Sequence, residues 1–174
     1  MQQLSEEYKD KVQFAFKPHP ILRYNLRNYW DDERIAEYYG KWETGSNTQL
    51  ETGGYQGLFM HSDAMIHDSG SFTIEYLYAH KPVMYVVKEK ANNHTDHQTP
   101  LGIGAFNMHY HGYSKEDIRK FVEQVIADCD PMKEQREHFF RNYLLPPHGK
   151  TASENILDAI LGKNPQPTSH NLQS

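Results

Sequence analysis

The chain has 174 residues, 18 Lys and Arg against 23 Asp and Glu, a formal net charge of −5 and one cysteine. That length suits one domain with a sizeable core, and the acid excess excludes the broad basic face of a nucleic-acid binder. No apolar run nears the ~20 residues that span a bilayer, the opening Met1-Gln-Gln-Leu-Ser-Glu-Glu lacks a signal-peptide pattern, and Cys129, having no partner, rules out an internal disulfide; a cytoplasmic protein is expected.

Val12, Phe14 and Phe16 alternate with Gln13, Ala15 and Lys17, the pattern of a strand with one apolar face. The strand runs into Lys17-Pro18-His19-Pro20. Each proline fixes its own φ and biases the residue before it toward extended backbone, so His19 is held stiffly at the strand end. Ligands of open α/β sheets gather outside the carboxyl ends of strands. An imidazole and a lysine there can donate to an anion, and His19 can move a proton near neutral pH; a rigid surface turn with an idle histidine fits the same residues. Further on, Asp31 or Asp32 caps a helix carrying Ile35, Tyr38, Tyr39 and Trp42. Residues 45–57 form a polar, Gly-rich connection with a short strand at Thr48–Leu50, and residues 55–60 a short helix.

Residues 63–82 are the most informative stretch. An apolar run at 64–66 reads as a buried strand and ends in the small, hydroxylated turn Asp68-Ser69-Gly70-Ser71. Ile74, Leu77 and Tyr78 then follow at helical spacing until Pro82, and a second apolar run covers 83–87. A helix start offers unpaired N–H groups and a partial positive charge, which suit a phosphate. Ser71 and Glu75, four residues apart, share a helix face, so hydroxyls and amides for a phosphate lie one turn from a carboxylate for ribose hydroxyls. The same residues also fit an ordinary capped helix, with Ser69 or Ser71 as N-cap and Glu75 a solvated acid.

Residues 88–104 read as a long, polar, His- and Asn-rich connection. Ser114 caps a helix with Ile118, Phe121, Val122, Val125 and Ile126 on one stripe, ended by Asp130-Pro131. A second helix carries Phe139, Phe140, Tyr143 and Leu144 and closes at Pro146-Pro147. Thr151-Ala-Ser-Glu154 is a capping box for a last helix with Ile156, Leu157, Ile160 and Leu161. Residues 163–174 read as a disordered tail.

Eleven histidines raise the question of a metal. His94 and His97 lie in the polar connection, and His109 and His111 alternate on a strand, which puts both rings on one face. No Cys-x-x-Cys or His-Glu-x-x-His accompanies them, and they are read as solvated or hydrogen-bonded side chains. His61 and His67 flank the informative strand, close to any ligand there, with no role assigned by spacing. Tyr24, Tyr29 and Trp30 suit either packing or stacking on a base.

Taken together, Lys17-Pro18-His19-Pro20, the run Ser62-Asp63-Ala-Met-Ile-His-Asp68-Ser-Gly-Ser71-Phe-Thr-Ile-Glu75, and Lys81-Pro82-Val-Met-Tyr85 resemble the CDP-glycerol glycerophosphotransferases of teichoic-acid and related polymer synthesis. The resemblance covers roughly residues 10–162 and implies an α/β fold: a three-layer Rossmann-like lobe with a mostly parallel sheet, the carboxyl-terminal, nucleotide-binding half of a GT-B transferase. By that match residues 1–162 are the donor domain, His19 is the catalytic candidate, and Lys17, His19, Asp68, Ser69, Gly70, Ser71, Thr73 and Glu75 are the nucleotide and phosphate candidates. Many relatives carry Asp-Tyr-Ser-Ser where this chain has Asp68-Ser-Gly-Ser71, and Asp in place of Glu75. The implied donor is a CDP-linked polyol and the implied acceptor a polymer or lipid-linked hydroxyl, with no metal, no cofactor and no nucleic acid. An amino-terminal lobe would supply the acceptor site and usually a general base, and the enzyme would work in the cytoplasm at the inner membrane face. A nucleotide-sugar glycosyltransferase or epimerase lobe, or a nucleotide-binding module without activity, stays open, because fold does not fix function.

Overall fold

The computed structural model describes residues 1–87, 99–146 and 149–163. Helix α1 (Gln2–Glu7) leads into β1 (Phe14–Phe16), then α2 (Leu22–Leu26), α3 (Asp32–Thr44) and β2 (Thr48–Leu50). Next come α4 (Gln56–His61), β3 (Met65–His67), α5 (Phe72–Glu75) with a 3₁₀ turn at Tyr76–Ala79, and β4 (Val83–Val86). The chain continues through α6 (Pro100–Phe106), β5 (Tyr110–Gly112), α7 (Lys115–Ile126), α8 (Lys133–Phe139) with a π turn at Phe140–Leu144, and α9 (Ala152–Ile160).

Every strand pair among the described residues is parallel. This is the expected Rossmann-like α/β arrangement, strands alternating with helices. Among the described residues the ladders are two, however: β1 beside β2, and β3-β4-β5 in chain order. Side chains link them, since Phe14 of β1 and Ile66 of β3 pack against the same cluster as Leu4 and Tyr8 of α1 and Val122 of α7. Asn47 welds the first ladder to α1, its buried amide donating to the carbonyls of Ser5 and Val12 at 2.9 Å each while its own carbonyl accepts from Phe14 at 2.8 Å. Aromatic packing clamps α3 over β1, with Phe16 stacked on Trp42 at 4.8 Å.

The larger cluster gathers Tyr76, Leu77, Val83, Ala105, Met108, Phe139 and Leu144. Helix α6 approaches α8 closely because residue 104 is glycine: a Cβ there would stand 2.7 Å from the Phe139 ring. Behind β5, Arg136 is buried and paired with Asp130, which also accepts the Tyr110 hydroxyl at 2.9 Å.

Several expectations change. The connection assigned to 88–104 gives way at Pro100 to α6, capped by the Thr99 hydroxyl accepting from Gly102 N–H; residues 88–98, with His94 and His97, lie outside the described residues, as do Pro147 and positions 164–174. The helix after Ser71 has only four α residues before it tightens to 3₁₀, and its buried face is Thr73, Tyr76 and Leu77, with Tyr78 exposed. The last helix forms with its Thr151–Glu154 capping box, yet Ile156, Leu157, Ile160 and Leu161 are each more than half exposed. Tyr143 and Ile126 are also exposed. No described helix is long and apolar enough to cross a membrane.

The expected His-x-His pair sits at β5, turned against α6. His109 is 2% exposed, its Nδ1 donating to the Ala105 carbonyl at 2.9 Å; His111 lies on Phe106, ring centroids 4.2 Å apart, with Nε2 3.0 Å from the Phe106 carbonyl. Burial, and then the neighbouring His67, push the His109 pKa down to about 3. The folded state therefore binds fewer protons than the unfolded chain, whose histidine titrates near its ordinary value of about 6.5. That histidine's contribution to stability is intact above about 6.5 and is lost as pH falls toward 3, with a slope of up to about 1.4 kcal/mol per pH unit. Chemical denaturation of the wild-type chain and His109→Asn between pH 7 and 4 checks this: the variant should show the shallower dependence, and equal slopes would place the acid sensitivity elsewhere.

Candidate functional site

Parallel pairing puts the carboxyl ends of β1 and β2 on one edge of their ladder, so residues 17–20 and 51–55 emerge side by side. Lys17 Nζ donates to the Gly53 carbonyl at 2.5 Å. The lysine thereby braces the second loop, and two of its three N–H bonds remain for another acceptor. His19 is exposed. Its Nδ1 accepts the Ile21 N–H at 3.2 Å and its carbonyl accepts the Leu22 N–H at 2.8 Å, a tight turn after the two prolines. A neutral imidazole with Nδ1 used as acceptor carries its proton on Nε2, so His19 presents an N–H donor to the solvent side of the loop.

The turn at 68–71 leaves the end of β3 in the second ladder. Asp68 and Ser71 are exposed, Ser69 and Gly70 half-buried. The Asp31 carboxylate and the Thr99, Ser114 and Thr151 hydroxyls each accept a backbone N–H at the start of their helices. Ser71 does not: it has helical φ and ψ and makes no capping bond. The capped-helix reading therefore does not describe this turn. Amides 72 and 73 turn back to the carbonyls of Ser69 and Gly70 at 3.4 and 3.2 Å, while the N–H groups of Gly70 and Ser71 have no partner among the described residues. With so short a helix behind it, the turn offers oriented N–H and O–H donors rather than a large helix dipole.

Two buried side chains that spacing gave no role anchor this turn. His67, the last residue of β3, sets its Nδ1 3.0 Å from the Ser69 carbonyl and 3.3 Å from the Ser69 nitrogen. Tyr85, its register partner on β4, donates its hydroxyl to the Asp68 carbonyl at 3.4 Å. Thr73, a phosphate candidate by resemblance, is 2% exposed, and its hydroxyl lacks a partner among the described residues; it faces the core side of α5 with Tyr76 and Leu77. Glu75 is exposed on the other side, and its carboxylate beside the Tyr55 hydroxyl raises that phenol's pKa above its ordinary value.

Tyr55 also joins the two halves of the site. Its ring packs 5.1 Å from Phe72 and 5.0 Å from Phe59, and it follows the Gly53-Gly54 segment that Lys17 holds. The structure thus links Lys17, residues 53–55 and Glu75 in one chain of contacts, whereas no direct hydrogen bond joins His19 to residues 68–75 among the described residues. A tyrosine directly after a glycine pair carries no spacing signal for such a role; only the tertiary packing reveals it. The described residues hold no group of three or more His, Cys, Asp or Glu side chains arranged for a metal ion.

A family model described as CDP-glycerol:poly(glycerophosphate) glycerophosphotransferase matches residues 1–162, and the chain belongs to that family. No curated protein and no solved structure matches the chain.

The Tyr55–Glu75 contact makes a direct prediction. Glu75→Gln removes the carboxylate that disfavours the phenolate, so the Tyr55 phenol should titrate at a lower pH in the variant. Carbon-13 labelling at tyrosine Cζ and an alkaline NMR titration measure it; a Tyr55 curve that does not move would mean the two groups do not meet in solution.

Proposed function

We propose that residues 1–162 form the donor-binding lobe of a GT-B transferase that moves glycerol phosphate from CDP-glycerol to a hydroxyl of a cell-surface polymer at the inner face of the membrane. The observation that carries the reading is the turn at 68–71: unspent N–H groups at Gly70 and Ser71 and an uncapping Ser71 hydroxyl, at the carboxyl end of a parallel strand where nucleotides gather. Family membership supports the donor. In this reading the turn holds the pyrophosphate of the donor, Ser69 and Ser71 add hydroxyl donors, and Glu75 receives ribose hydroxyls while Tyr55 keeps it in place. His19 Nε2–H and the remaining donors of Lys17 approach the same phosphates from the β1 side.

The chemistry asks for charge stabilisation and alignment rather than a covalent intermediate. The acceptor hydroxyl oxygen attacks the phosphorus that bears glycerol. A new P–O bond forms as the bridging P–O bond to the cytidine phosphate breaks; CMP leaves with the bonding pair, and the hydroxyl proton passes to a base. A His19 whose Nδ1 is occupied by Ile21 N–H is a donor to the departing phosphate and a poor base, so the base and the acceptor site belong to a second lobe. Donors placed on developing charge act best where they need no reorganisation, and the two flanking prolines supply that stiffness to His19.

Calorimetric titration with CDP-glycerol, CDP, UDP, GDP and a UDP-sugar should show the cytidine ligands binding most tightly. Equal binding of all five, or none, would overturn the donor assignment, and preference for the UDP-sugar would favour a glycosyltransferase lobe.

Single substitutions locate the cradle. His19→Ala and Ser71→Ala each remove one hydrogen bond to a charged group, worth about 1.5–3 kcal/mol, and should weaken CDP binding while the circular dichroism spectrum stays unchanged. Glu75→Gln should weaken CDP and spare inorganic pyrophosphate, because it removes a ribose acceptor and a negative charge together. Parent-like CDP affinity in both alanine variants would move the phosphate site off this edge.

A further inference from the structure

We propose that His67 is a positioning residue for the phosphate turn: its ring, fixed in the core, turns the peptide between Ser69 and Gly70 so that the Gly70 N–H faces the ligand. The inference rests on the donor reading above and adds to it a residue that never touches substrate.

In a trans peptide the C=O of one residue and the N–H of the next point in opposite directions. The Ser69 carbonyl lies 3.0 Å from His67 Nδ1, on the buried side of the turn. The Gly70 N–H of the same peptide is therefore directed away from the core. A carbonyl can only accept, so the 3.0 Å contact requires the proton on Nδ1. The longer 3.3 Å approach of the Ser69 N–H would need a lone pair on that same nitrogen and is the one that yields.

The ring itself has little freedom. His67 is 9% exposed and its ring centroid lies 5.1 Å from Tyr85, 5.2 Å from His109 and 6.3 Å from Phe72. Tyr85 holds the preceding carbonyl, that of Asp68, at 3.4 Å. Two neighbouring strands thus fix two successive carbonyls of the turn from below. Hydrogen bonds to a charged ligand depend steeply on donor direction, so releasing the Ser69 carbonyl should cost binding without removing any group that contacts the ligand.

Three variants of the full 174-residue chain separate positioning from packing. Asn places an amide N–H near the position of the imidazole Nδ1–H; Gln extends it one atom further; Phe keeps an aromatic ring and has no donor. The probes are CDP and inorganic pyrophosphate, titrated by calorimetry. His67→Phe and His67→Gln should each bind both about tenfold more weakly than the parent, while His67→Asn should recover most of that loss even where its thermal midpoint is lower. Parent affinity in His67→Phe, or affinities that simply follow thermal stability across the three, would overturn the proposal. Nitrogen-15 shifts of the parent's His67 ring decide the matter independently of whether any variant folds: a neutral ring protonated at Nδ1 supports it, and one protonated only at Nε2 overturns it. A parent that binds neither probe would remove the donor reading and this inference together; a parent that binds while His67→Phe binds equally well removes the inference alone.

Discussion

A parallel strand cannot return to its neighbour through a tight turn; it needs a crossover. Every strand pair described in this chain is parallel, and most of its other features follow from that constraint. The crossovers become helices, the helices cover the sheet faces, and the residues leaving the carboxyl ends come to one edge of each ladder. The strands are only three or four residues long, so the ladders alone hold little. Burial between strand and helix does the rest, at about 25 cal/mol per Å² of apolar surface: Val83 and Met84 beneath the second ladder's helices, Phe16 against Trp42 in the first.

Several polar groups inside the fold fix its joints. Asn47 satisfies two carbonyls from different elements, and Asp130 joins Arg136 to Tyr110 across α8 and β5. A buried polar group is tolerated when its bonds are made and expensive when they are not, so the bonds of Asn47 and of Asp130 hold their elements together. His67 belongs with them chemically. It differs in that the backbone it fixes is the one presented to solvent at the strand end.

Much of this was legible in the residues. Alternation at Val12, Phe14 and Phe16 marks β1; Ser114 and Thr151 announce α7 and α9 through local capping chemistry, which tertiary structure leaves undisturbed. The start of α6 was legible too, in Thr99-Pro100, an N-cap followed by proline at the first helical position; polar composition upstream obscured it. What the sequence could not give was the outcome of competition between local and tertiary terms. Of Ile74, Leu77 and Tyr78, which have helical spacing, Leu77 is buried and Ile74 packs against the core, but Tyr78 is exposed while Thr73 and Tyr76 are buried, and the helix tightens after four residues. In the candidate site, the turn at 68–71 and the Lys17–His19 element stand out by residue type. Tyr55 and Tyr85 do not, because their importance lies in partners 20 and 17 residues away, Glu75 and Asp68.

The division into two ladders has a mechanical consequence. Within a ladder, register changes only in whole residues, because hydrogen bonds pair discrete groups. Between β1 and β3 no backbone hydrogen bond is made among the described residues, and the union is the cluster of Leu4, Tyr8, Val12, Phe14, Ile66 and Val122. Packed side chains accommodate the small sliding displacements known as shear, which a hydrogen-bonded ladder resists. His19 leaves the end of the first ladder and Ser71 follows the end of the second, and the Tyr55 ring, 5.1 Å from Phe72, packs beside the second.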